Sequence, residues 1–208
     1  MVHGDDKGLR LPPNIAPIQI VVIPIYKNDE DLNALKKYLE PVLTYLSGNQ
    51  NSFYFDDRKK LSPGFKFNEW EMKGVPLRLE VGMRDLENHS LTVARRDTND
   101  KKTIDFSDYE NILVNSLADI QVNLFNEAKK FKDENTFIVS NYESFKNTIQ
   151  QGGFIKCGWD GTSETEKKIK NETKATIRCI PLKQNISDLK CIYSKNDAKY
   201  EVIFARAY

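Results

Sequence analysis

From Ile18 to Ile25 the chain reads Ile-Gln-Ile-Val-Val-Ile-Pro-Ile, with one polar position in eight. A short β-branched run of this kind marks a strand buried on both faces, as in a parallel or mixed sheet covered by helices. The period then changes. Leu32, Leu35, Leu39, Val42, Leu43 and Leu46 recur at helical spacing behind Asn28, a residue type that caps helix N-termini. Pro41 lies inside that pattern and predicts a kink or a split. Phe53–Phe55 is a short strand candidate, and 63–74 reads as a short helix stopped by Gly74. Val75, Leu77, Leu79 and Val81 alternate with Pro76, Arg78, Glu80 and Gly82. That alternation predicts a half-buried strand with Arg78 and Glu80 on its polar face.

A second strand is expected over Leu91–Arg96, across a polar turn at Asn88 and His89. Leu113, Leu117, Ile120, Leu124, Ala128 and Phe131 then define the longest amphipathic helix, from Tyr109 to Phe131. After Asp133-Glu134-Asn135 the alternation of elements restarts. Strands are expected at Ile138–Val139, Phe154–Trp159, Ala175–Leu182, Lys190–Tyr193 and Tyr200–Ala205, and helices at Tyr142–Ile149 and Ser163–Lys170. The pattern divides the chain into an extended segment rich in proline, an α/β domain and a second small α+β domain near the lower limit for independent stability.

Composition narrows the function classes. The chain has 208 residues, of which 39% are apolar and 11% aromatic, enough for real cores. Its longest apolar stretch is far too short to cross a bilayer, and the first ten residues are polar and charged, so a cytoplasmic protein without a signal peptide is expected. Three scattered cysteines give no disulfide framework and read as reduced, mostly buried thiols. Net charge is +1, but its distribution is uneven. Residues 58–102 hold eleven Lys/Arg against seven Asp/Glu, and residues 105–134 three Lys against seven Asp/Glu. The first segment is a weak pointer to an anionic partner. The turn after the first strand, Tyr26-Lys27-Asn28, has no glycine to admit a phosphate, which demotes a nucleotide-binding fold. No Ser-His-Asp order, no HExxH and no recognisable carboxylate pair occurs. Taken alone, these domains look like binding modules.

Five blocks, in order, resemble one family. His3–Pro13 looks like the exit from a class II catalytic core. Asn68-Glu69-Trp70-Glu71-Met72-Lys73-Gly74-Val75-Pro76-Leu77-Arg78 looks like an anticodon-domain signature, and Ala94-Arg95-Arg96-Asp97-Thr98 like the strand after it. Glu172–Pro181 and Ala198–Tyr208 resemble a terminal domain. Together they are similar to prolyl-tRNA synthetases of the archaeal/eukaryotic-like type, over essentially the whole chain. The resemblance implies a class II anticodon-binding domain, a mixed five-stranded sheet flanked by helices, followed by a small α+β C-terminal domain. It implies the boundaries 1–16 for the tail of the catalytic domain, 17–135 for the anticodon-binding domain with its long connecting helix, and 136–208 for the C-terminal domain. It also implies that the parent is a proline–tRNA ligase using ATP and magnesium, with the catalytic motifs outside this chain. The implied partners are proline tRNA, the catalytic domain of the same chain and, in the full-length enzyme, a second copy. The alternative is a stand-alone, non-catalytic RNA- or protein-binding module of the same fold.

Proline anticodons end in two guanines. A guanine offers N1–H and N2–H₂ as donors and O6 and N7 as acceptors, so recognition wants a carboxylate together with Arg or Lys. The resemblance implies Glu71, Arg78 and Arg84 as base readers, with Glu80 and Lys102 as further candidates. Arg95 and Arg96 read as phosphate or structural contacts, and Phe67 and Trp70 as core. Arg78→Ala is expected to remove a reader without opening the core. Many members of the family bind zinc in the terminal domain through four cysteines. The corresponding positions here are Asp160, Thr165, Cys191 and Tyr193, a donor set that predicts no zinc. Packing around Trp159 and Tyr193 is expected to stabilise the domain instead.

Overall fold

A computed structural model describes residues 3–49 and 51–206. The chain forms two compact units, residues 1–127 and 128–208, and the division falls within one long helix.

The first unit opens with a hairpin of two very short strands, β1 (Gly4–Asp5) and β2 (Gly8–Leu9), which the hydrophobic pattern does not reveal. Strand β3 (Ile20–Ile25) is buried on both faces, as its composition predicts. Helix α1 (Asp29–Gly48) starts where Asn28 Oδ1 accepts from the Asp31 amide at 2.7 Å. Of the kink or split expected at Pro41, no split occurs: the helix runs continuously through it. Pro41 is exposed, so the Lys37 carbonyl that loses its helical partner lies on the solvent side, while Leu39, Val42 and Leu46 stay seated in the core.

Strand β4 (Phe53–Phe55) leads into helix α2 (Pro63–Met72), capped by Ser62 with proline in its first turn. Strand β5 (Leu77–Gly82), the short helix α3 (Met83–Glu87), β6 (Ser90–Arg95) and β7 (Lys101–Asp105) follow, and then α4 (Tyr109–Glu134). The sheet has the order β4-β3-β5-β6-β7. Its β3–β4 and β3–β5 pairs are parallel, and β5–β6 and β6–β7 are antiparallel. This is the mixed five-stranded sheet flanked by helices that the resemblance implies. The fifth strand, Lys-Lys-Thr-Ile-Asp, carries only one buried residue, Ile104, and so gives no periodic signal.

One face of the sheet builds the main core with α1 and α4, from residues such as Val22, Leu79, Leu35 and Ile120. The other face holds a smaller cluster of Val21, Ile23, Trp70 and Val75. That second cluster corrects the reading of β5. The strand is buried on both faces, and Arg78 and Glu80 are 7% and 6% exposed. The face expected to meet water is covered by α2.

The second unit has a four-stranded sheet in the order β10-β11-β9-β8, formed by β8 (Thr136–Ile138), β9 (Phe154–Trp159), β10 (Ala175–Cys179) and β11 (Tyr200–Arg206). Helices α5 (Tyr142–Gln151) and α6 (Ser163–Thr173) are capped by Asn141 and Thr162. Phe145, Ile149 and Ile169 from these helices join Ile155, Val202 and Phe204 in one core. Lys190–Tyr193, expected as a strand, is a loop held by two isolated bridges, Gly158–Cys191 and Lys190–Asp197. Of the terminal block of resemblance, Ala207 and Tyr208 lie outside the described residues. Among the described residues no helix is long and apolar enough to cross a membrane.

The positions compared with a zinc site carry a hydrogen-bonded knot. Asp160 Oδ2 accepts from Thr165 Oγ1 at 2.8 Å and Ser194 Oγ at 2.6 Å, and Oδ1 accepts from the amide and hydroxyl of Thr162 at 3.0 and 2.9 Å. Tyr193 turns away to donate to Glu172 at 3.0 Å. Among the described residues no cluster of three or more His, Cys, Asp or Glu could hold a metal ion. The knot joins the start of α6 to the 190–194 loop. Partial burial raises the Asp160 pKa, but the Ser194, Thr162 and Thr165 bonds outweigh it and bring it to about 2. A depressed pKa means that this contribution is complete above the unfolded carboxylate value, about 3.9, and is lost as pH falls toward 2. Asp160→Ala is expected to cost about 2–3 kcal/mol at neutral pH, since three hydroxyls lose an ionised acceptor. Thermal unfolding of wild type and variant at pH 7 and pH 3 checks this: the difference should shrink at the lower pH.

Candidate nucleic-acid interface

Pairing register decides which side chains share a face. Across the first unit's sheet, Tyr54, Val21, Arg78, Ala94 and Lys101 are successive cross-strand partners. The next row on the same face is Ile23, Glu80, Thr92 and Thr103. Helix α2 lies over part of this face and brings Phe67 and Glu71, one turn apart, above Arg78.

The result is a chain of charge-assisted bonds. Arg78 Nε donates to Glu80 Oε1 at 2.8 Å, and Nη1 to Glu71 Oε1 at 2.9 Å. Lys101 Nζ donates to Glu80 Oε2 at 2.7 Å. Both cations sit over the Phe67 ring, the Arg78 guanidinium at 4.6 Å and the Lys101 ammonium at 5.0 Å from its centroid. Glu80 therefore spends both oxygens inside the network. Glu71 Oε2 and Arg78 Nη2 have no partner among the described residues. The Glu71 side chain is 24% exposed and that of Lys101 48%. Glu71, Arg78 and Lys101 border a cleft of about 100 Å³. The geometry thus presents, side by side, a carboxylate oxygen, guanidinium and ammonium donors and an aromatic ring.

The expected site residues separate accordingly. Glu71, Arg78 and Glu80 come together. Lys102 does not join them. It pairs with Val93, in the row of Val22 and Leu79, and so belongs to the opposite face. Its neighbour Lys101 takes the place the sequence reading gave to Lys102. Arg84 stands exposed in α3, beyond the other end of β5. Phe67, read from sequence as core, packs half-buried against the cluster of Val21, Ile23, Trp70 and Val75 and also underlies both cations. A signal for it existed: Phe67 precedes Glu71 by four residues, hence the same side of the helix. Trp70 is core as expected, 5% exposed. Arg95 and Arg96 are structural, forked onto Asp97 at 3.0 and 2.7 Å and onto Asp5 at 2.8 and 2.6 Å.

Residues 19–116, which contain this whole cluster, match a family model described as an anticodon binding domain. Residues 142–208 match a second, described as the C-terminal part of prolyl-tRNA synthetase. The chain is 46% identical over 208 residues to a proline–tRNA ligase of Porphyromonas gingivalis, covering all of this chain and 42% of the relative. It is 45% identical over 212 residues to one of Bacteroides fragilis, again along its whole length and over 43% of that protein. A proline–tRNA ligase of Cytophaga hutchinsonii shares 46% over 209 residues, 43% of its length. Along its whole length the chain is similar to prolyl-tRNA synthetases. It spans a little over two fifths of the length of the curated relatives it matches.

Proposed function

We propose that this chain binds the anticodon stem-loop of proline tRNA through the sheet face that carries Phe67, Glu71, Arg78 and Lys101. The observation that carries the reading is the unspent hydrogen-bonding capacity of a site otherwise fully paired. Glu71 offers Oε2 to the N1–H and N2–H₂ donors of a guanine, and Arg78 Nη2 and Lys101 offer donors to O6 and N7. Glu80 acts behind them, holding Arg78 and Lys101 in place. Arg84 is a further cation for the RNA, set apart from this cluster, and Lys102, on the opposite face, is proposed as a phosphate contact rather than a base reader.

The parent protein, on this reading, is a proline–tRNA ligase that activates proline with ATP and magnesium and transfers it to tRNA. Its catalytic domain belongs to the same chain, it works as a homodimer and it acts in the cytoplasm. The proposed division is a catalytic tail at 1–16, the anticodon-binding domain at 17–135 and the C-terminal domain at 136–208. The fragment carries no expectation of prolyl-adenylate synthesis by itself. The test is binding of proline tRNA transcripts with the anticodon guanines intact or replaced. Preference for the intact anticodon supports the proposal, and equal affinity for both transcripts refutes it.

A further inference from the structure

Residues 5–10 are built against the proposed recognition face. Asp5 in β1 receives both Nη groups of Arg96, at 2.8 and 2.6 Å. Lys7 Nζ reaches Asn99 Oδ1 at 3.3 Å, and Arg10 Nη2 the Asp97 carbonyl at 2.7 Å. Strand β2 lies flush against the end of α2. A Cβ on Gly8 would come within 2.5 Å of Met72 Cα, and one on Gly74 within 2.6 Å of Leu9 Cβ. Both glycines also hold positive φ, +127° and +74°, so neither position accommodates a side chain.

Arg96 is the pivot of this contact. It is 4% exposed, and its Nε donates to the Glu71 carbonyl at 3.2 Å. Glu71 is the penultimate residue of α2, where helix ends fray, and its carbonyl also accepts from the Gly74 amide at 3.0 Å in the closing turn. It is therefore gripped twice, at its carbonyl by Arg96 and at Oε1 by Arg78, with Oε2 left over. Asp5 neutralises the buried Arg96; the Arg96 hydrogen bond in turn holds the Asp5 carboxyl well below the usual carboxylate range. Asp5 therefore stays ionised throughout the neutral range.

We infer that Arg96 is a positioning residue for anticodon recognition that acts through Glu71, and that Asp5 of the β1–β2 hairpin locks it in place. The inference rests on the reading of Glu71 proposed above. The hairpin lies outside the residues 19–116 matched by the anticodon-binding model, so the recognition site takes part of its rigidity from the segment that precedes it. A reading carboxylate has to be held to within about 0.5 Å, which is a task for the groups behind it.

The test is a double-mutant cycle in the full-length parent enzyme. Aminoacylation KM and kcat are read for proline tRNA with the anticodon guanines intact or replaced. Asp5→Asn keeps the shape and removes the charge. It should raise KM for the intact transcript by roughly five- to thirtyfold, the size of an ordinary coupling between contacting residues, with little change for the replaced one. In a Glu71→Gln background the same change should have no further effect on the ratio. Arg96→Lys, which keeps the charge but cannot hold Asp5 and the Glu71 carbonyl together, should behave alike and carries the test if Asp5→Asn melts below assay temperature. Loss of affinity by one factor for both transcripts, or an effect that simply adds to that of Glu71→Gln, overturns the inference. If Glu71→Gln alone leaves discrimination intact, the recognition reading falls, and this inference with it. If Glu71→Gln abolishes discrimination while neither clamp variant lowers it, only the clamp is refuted.

Discussion

Asp56→Ala should destabilise the first unit by about 3–5 kcal/mol, the range for breaking a buried ion pair from one side. Asp56 is fully buried at the end of β4. Its carboxylate takes Arg58 Nε and Nη2 at 2.8 and 2.7 Å and the Trp70 indole N–H at 2.8 Å. Lys66, 2% exposed, donates to the Asp56 carbonyl at 2.9 Å and stands 3.7 Å from the carboxylate. Removing the carboxylate leaves an indole donor and a buried ammonium without their anion, beneath the helix that carries Phe67 and Glu71. Burial raises the Asp56 pKa, but the Arg58 and Trp70 bonds prevail and set it at about 2. Its contribution is thus complete above the unfolded value, about 3.9, and fades as pH falls toward 2. Urea denaturation at pH 7 measures the loss. A cost below about 1 kcal/mol would mean that α2 is held by its apolar contacts alone. Asp56→Asn, which keeps an acceptor for Trp70 but not the charge, should fall between wild type and alanine.

The second large effect belongs to Arg78→Ala, and it is a double one. From sequence, truncation there removes a reader without opening the core. The structure puts the Arg78 side chain at 9% exposed, between Glu71 and Glu80. Its removal leaves Glu80, itself 8% exposed, with Lys101 as its remaining partner. The expected cost in stability is about 2–4 kcal/mol, below the full buried-pair range because Lys101 remains. Loss of a guanine contact should add about 1–3 kcal/mol in binding, about five- to more than a hundredfold in affinity. Arg78→Lys separates the two. A lysine supplies a charge to Glu80 but not the fork to Glu71 and base, so stability should be largely kept while discrimination is lost. Melting temperatures and transcript affinities of the two variants check both halves. Equal loss of stability in the two variants would show that the fork, not the charge, holds Glu80.

How far the sequence reaches can be judged from these same residues. The β-branched run of β3 and the leucine spacing of α1 leave little freedom, because each buried face must be apolar at one period. Arg78 and Glu80 could be placed on one side of β5 by alternation. Their burial could not, because it depends on α2 crossing that face, a tertiary fact with no local trace. The choice between Lys101 and Lys102 turns on the register of β7, whose polar sequence hides the strand itself. The β1–β2 hairpin has two residues per strand and no apolar pattern, so its grip on Arg96 emerges only from the packed structure. Pro41 does not split α1 for a related reason: the buried side of the helix holds it together across the residue.

The most direct measurement is the affinity of the wild-type chain and of Glu71→Gln for proline tRNA transcripts with the two anticodon guanines intact or replaced, at one fixed salt concentration. Glu71 is partly exposed and glutamine keeps its size, so folding is not the variable. Wild type should prefer the intact anticodon, and Glu71→Gln should lose most of that preference, about 1–3 kcal/mol, while its affinity for the replaced transcript stays close to wild type. An unchanged preference in Glu71→Gln would contradict the assignment of this face as the reader of the guanines.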